Sequence, residues 1–151
     1  MNDKSARLEK RVPAVGEAAG PERVAFSFRD EGGRQKALSF LEIADNHAAR
    51  RRGLSKRASL SPIGGMFFDK AGAFWMRDTN FPLDLVFTDE YGRITEKMAM
   101  SVDPEGTKIY SPTKAAAHAI ELPAGFCDRH KIAEGDYVVP TKIAKHHRKP
   151  R

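Results

Sequence analysis

Residues 65–87, GMFFDKAGAFWMRDTNFPLDLVF, contain three short apolar bursts separated by turn-forming residues. Gly65-Met66-Phe67-Phe68, Ala73-Phe74-Trp75-Met76 and Leu83-Asp84-Leu85-Val86-Phe87 are rich in aromatic and branched side chains and too short for ordinary helices. Each therefore predicts a strand. Lys70-Ala71-Gly72 and Asp78-Thr79-Asn80-Phe81-Pro82 supply the turn chemistry between them.

The same pattern extends outward in both directions. Upstream, Val24, Phe26 and Phe28 alternate with Ala25, Ser27 and Arg29, and Asp30-Glu31-Gly32-Gly33 leads into a second apolar run at 37–43, which predicts a hairpin. Asn46 is placed to cap a short helix over 47–52, and Gly53 stands where a left-handed terminus is easiest. Downstream, 93–102, 118–122 and 137–139 predict further strands, with a helical turn near 126–132. Short strands with turns at close intervals predict a mostly β protein, a compact β-sandwich or barrel with one or two short helices.

Hydrophobic residues make up 40% of the 151-residue chain, enough for one domain with a packed core. Residues 22–140 are expected to form that domain, with a flexible arm at 1–21 and a basic tail at 141–151. The net charge of +6 is concentrated at one end: 141–151 carry +5 and 1–21 carry +1, leaving 17 basic and 17 acidic groups between them. No stretch approaches the roughly 18–20 apolar residues of a membrane span, and the N-terminal stretch lacks the apolar run of a signal peptide. The expected location is the cytoplasm or a virion. The single cysteine, Cys127, has no internal disulfide partner.

The 65–87 block resembles the hallmark of the Domain of Unknown Function 192 family. Arg51-Arg52-Gly53-Leu54 with Arg57 and Leu60, then Glu121-Leu122-Pro123-Ala124-Gly125 and Gly135-Asp136, are similar to other elements of that family in the same order. The resemblance covers most of residues 23–139 and implies a compact β-sandwich or barrel. It implies no activity, because fold does not supply function.

Asp84 and Glu121 each interrupt an apolar strand, so each is either turned outward or buried with a partner. The two could meet as a carboxylate pair suited to acid–base chemistry; ion pairing with Arg52, Arg57 or Arg77 is the favoured expectation. Phe74, Trp75, Phe81 and Phe87 could line a groove but are expected in the core. Arg77 and Asn80 lie in a turn whose polar groups are expected to close it, the alternative being a small-molecule pocket. The ligand-binding candidates are thus Trp75, Arg77, Asn80, Asp84 and Glu121. Cys127 and His130 lack an orienting third residue, and His146-His147 lack a closed ligand set, so no catalytic residue, metal or cofactor is expected.

Arg50-Arg51-Arg52 with Lys56 and Arg57 could contact phosphates, but the tail residues Lys142, Lys145, Arg148, Lys149 and Arg151 are the preferred phosphate-binding candidates. The leading functional expectation is a non-enzymatic structural or interaction module whose arms bind protein partners in a large assembly such as a phage virion. A nucleic-acid-associated accessory protein using the tail is the first alternative. A small-ligand or carbohydrate-binding domain, or a hydrolase-like enzyme, with a pocket near Trp75, Asp84 and Glu121 is the second.

Overall fold

A computed structural model describes residues 6–13 and 22–142. Among them the elements run α1 (Leu8–Arg11), β1 (Arg23–Arg29), β2 (Gln35–Ala44), α2 (His47–Arg52), β3 (Met66–Phe68), β4 (Leu83–Thr88), β5 (Ile94–Met100), β6 (His118–Pro123), α3 (Phe126–His130) and β7 (Tyr137–Pro140). The mostly β expectation holds.

The strands form one sheet in the order β5-β4-β6-β3-β2-β1-β7. All neighbours pair antiparallel except β2 and β3, which run parallel and are joined through α2. The sheet curls until its two edges touch. Arg93 bridges Tyr137, Ile94 N–H donates to the Asp136 carbonyl at 2.7 Å, and Gly135 N–H donates to the Ile94 carbonyl at 2.9 Å. The expected sandwich or barrel is therefore a single curled sheet, joined at one corner.

Strand alternation divides the core between the two faces of the sheet. Phe26, Phe28, Phe67, Val86, Ile120 and Leu122 pack on one face in a cluster that includes Ile94 and Val138 from the two edges, so this face is the inside of the curl. Phe68, Leu83, Leu85 and Phe87 face outward, under a cover that includes Leu54, Met76 and Tyr110. Side chains one residue apart on β4 or β6 thus enter different cores.

Two local readings change. Residues 73–76 form no strand: Phe74 makes only an isolated bridge with Tyr110. The run is apolar because it roofs the outer core, with Phe74 edge-on to Phe68 at 4.9 Å and Met76 fully buried. Within the stretch 1–21, residues 8–11 form the short helix α1, and Leu8 is fully buried in the inner core.

Candidate functional site

The outer face carries a cavity of about 560 Å³ between α2 and residues 70–79. Helix α2 begins where Asn46 Oδ1 accepts a hydrogen bond from Ala49 N–H at 2.9 Å, satisfying one of the free N–H groups of the first turn. Ala49 is the buried residue of this helix. The helix ends at Gly53, whose φ of 51° and ψ of −135° suit only glycine. This is a positive φ, as expected, but outside the left-handed helical region. The chain then turns Leu54 into the outer core.

Glu121 forms part of the cavity floor. On β6 it stands opposite Met66 of β3 and Leu85 of β4, with only 4% of its surface exposed. No described residue donates a hydrogen bond to its carboxylate, although it lines the cavity beside Phe68 and Gly53. Burial pushes its carboxyl up to about 8, and the Arg57 charge offsets this only in part. Glu121 is therefore mostly protonated at pH 7 and able to donate as well as accept.

The walls and rim differ sharply in character. Trp75, Phe74 and Leu54 supply apolar surface, and Trp75 keeps 39% of its surface exposed. Arg77 lies over the Trp75 ring at 5.4 Å. Arg51 and Arg52 line the rim, exposed, whereas Arg50 is held by Asp69 at 2.7 Å.

Of the sequence candidates, Trp75, Arg77 and Glu121 meet at this cavity, while Asn80 and Asp84 do not line it. Asp84 and Glu121 cannot form a carboxylate pair, because Asp84 stands opposite Leu122, on the other face of the sheet from Glu121. Neither makes the expected ion pair. Asp84 instead accepts from Gly125 N–H at 3.2 Å and Cys127 N–H at 3.0 Å, fastening the start of α3. Arg57 donates from both terminal guanidinium nitrogens to the Glu42 carboxylate, one of them at 2.7 Å. Asn80 makes no local bond of the expected kind: it donates to the Arg57 carbonyl at 2.6 Å and so ties its turn to the loop after α2.

Glu42, Leu54 and Phe68 were not legible as parts of this region. Glu42, Met66 and Glu121 form one row across β2, β3 and β6, so Arg57 bridges a buried row whose members are distant in sequence. Burial, and after it the neighbouring Asp84 carboxylate, push the Cys127 thiol up to about 12, which makes it inert. Among the described residues no group of three His, Cys, Asp or Glu side chains is placed to hold a metal, and no helix is long and apolar enough to cross a membrane. Of the tail candidates, Lys142 is exposed, while Lys145, Arg148, Lys149 and Arg151 lie outside the described residues.

Known structures share this architecture. A proposed transcription regulator from Sinorhizobium meliloti 1021 is 27% identical, with a TM-score of 0.73 over 83% of this chain and 98% of its own. A protein of unknown function from Novosphingobium aromaticivorans DSM 12444 is also 27% identical, with a TM-score of 0.69 over 87% of this chain and 94% of its own. Among curated proteins, none matches the chain. The model of DUF192, described as "Uncharacterized ACR, COG1430", matches residues 29–140. That span contains β2 to β7 and every residue of the cavity, and the chain belongs to the DUF192 family.

Proposed function

We propose that this domain binds a small molecule in the cavity between α2 and residues 70–79, with Glu121 as the polar anchor. One observation carries the reading: a buried carboxyl group opens into the cavity without a hydrogen bond from any described residue. A carboxyl group with so little access to bulk water gains from a partner that a ligand brings, by roughly 0.5–1.5 kcal/mol for an ordinary hydrogen bond. The volume of about 560 Å³ suits a small organic ligand, and apolar surface from Leu54, Phe68, Phe74 and Trp75 beside charged groups offers both burial and orientation.

Binding is favoured over catalysis because no serine, cysteine or second carboxylate lines the cavity among the described residues, and the lining hydroxyl of Thr79 donates to the Arg77 carbonyl rather than to a base. A nucleophile with its base, or a pair of carboxyl groups, is what hydrolysis would need. The assembly and nucleic-acid readings rest on 1–21 and 141–151, most of which lies outside the described residues.

A fragment library screened by thermal unfolding tests the reading. A ligand at 100 times its Kd adds about 2.7 kcal/mol, or several degrees in Tm. Compounds that stabilise the wild type are expected to lose most of that effect on Trp75→Ala and Glu121→Gln. A library without a stabiliser, or stabilisers that act equally on all three proteins, would count against it.

A further inference from the structure

Resting on the reading of the cavity as a ligand site, we propose that its ligand is an organic anion built on a ring. The negative group sits among Arg51, Arg52 and Arg77, the ring lies against Trp75 and Phe74, and a neutral hydroxyl or carbonyl reaches Glu121. The argument begins with unspent charge. Arg50 is held by Asp69, but the exposed side chains of Arg51 and Arg52 line the cavity without a hydrogen bond or ion pair to a described residue. Arg77 interacts with the Trp75 ring face and has no acidic partner among the described residues.

Besides Lys70 and the Asp69-held Arg50, three guanidinium groups without an acidic partner therefore border one cavity in which Glu121 is the single acidic lining residue among the described residues. Guanidinium groups present paired N–H donors that match the two oxygens of a carboxylate or the oxygens of a phosphate. Below them the surface turns aromatic: Phe74 stands edge-on to Phe68 and Trp75 is left partly open, an arrangement that takes a flat ring against its side. At the floor, the Arg57 charge already acts on Glu121. A ligand cation there would have to pass the arginine rim and join a site with a positive neighbour. A neutral group that accepts from or donates to the carboxyl has no such penalty.

Trp75 is the sole tryptophan of the chain, so its fluorescence reports on this cavity alone. Four probes separate the parts of the proposal: 4-hydroxybenzoate, benzoate, 4-hydroxybenzyl alcohol and 4-(aminomethyl)benzoate. The expected result is saturable quenching with 4-hydroxybenzoate bound at least tenfold more tightly than 4-hydroxybenzyl alcohol. That advantage shrinks at least fivefold in the Arg51→Ala/Arg52→Ala double variant, which removes two exposed side chains that make no ion pair with a described residue. Glu121→Gln narrows the preference for 4-hydroxybenzoate over benzoate.

Equal binding of the acid and the alcohol would overturn the anion assignment while leaving the cavity as a ligand site. Tightest binding of 4-(aminomethyl)benzoate would overturn the neutral floor group. No saturable change with any of the four, while the fragment screen still yields stabilisers that depend on Trp75 and Glu121, overturns the ligand class and leaves the ligand site; the absence of such a stabiliser as well overturns both.

Discussion

Glu121 ties folding to pH because its carboxyl sits in an apolar setting that disfavours the charged form. Its folded value of about 8 lies above the ordinary 4.5, so the native state holds a proton that the unfolded chain releases. Its contribution is complete below about pH 4.5 and falls as pH rises to about 8, with a slope of up to about 1.4 kcal/mol per pH unit. Urea unfolding of wild type and Glu121→Gln from pH 5 to 9 should show that the variant lacks this slope. Burial holds the His118 imidazole below its ordinary value, giving a slope of opposite sign that both proteins share and the difference cancels. Parallel stability curves would remove the case for a neutral Glu121. Asp84, expected from sequence to behave like Glu121, has a separate task. It takes two backbone N–H groups at the start of α3, and Asp84→Ala should cost about 2 kcal/mol in urea unfolding. Because it sits on the other face of the sheet, ligand binding relative to stability should not change.

At the scale of elements, the cavity lies between α2 and residues 70–79, over the strand β6 that carries Glu121 and pairs with β3. Gly65 makes the close approach possible. A Cβ at this position would lie 2.3 Å from the Glu121 carbonyl oxygen and 2.9 Å from Leu41 Cδ2, and the φ of +150° is itself strained for other residues. Gly65→Ala is therefore expected to cost about 2 kcal/mol or more and to shift the row that carries Glu121. Chemical denaturation measures the first effect, and amide exchange in β3 and β6 the second. The hairpin, α2 with its Asn46 cap, β4 and α3 were legible because alternation, capping and turn residues act locally. The stretch 73–76 was misread for a physical reason: an aromatic run that roofs a sheet and one that forms a strand have the same composition.

For the whole molecule, the inner core is completed from outside the family-matched span. Leu8 is fully buried with Val138 and Ile94 beneath it in the same cluster, and its N–H donates to the Glu90 carbonyl at 2.6 Å. Leu8→Ala should cost about 3 kcal/mol in equilibrium unfolding, as a buried leucine does when its cavity fills only in part; a cost under about 0.5 kcal/mol, the size of a surface effect, would show that this helix is not docked in solution. The sequence by itself determined the mostly β class, the strand-and-turn rhythm and the family signature, because these depend on neighbours in the chain. It also marked Trp75, Arg77 and Glu121, each notable for its residue type in its local setting. Only the tertiary structure decided that these three meet and that Asp84 does not join them. Strand register sets which face a side chain enters, and one residue of offset between Asp84 and the partner of Glu121 separates a cap from a cavity floor. The arginines of α2 became part of a site only when the parallel connection from β2 to β3 laid that helix beside Glu121.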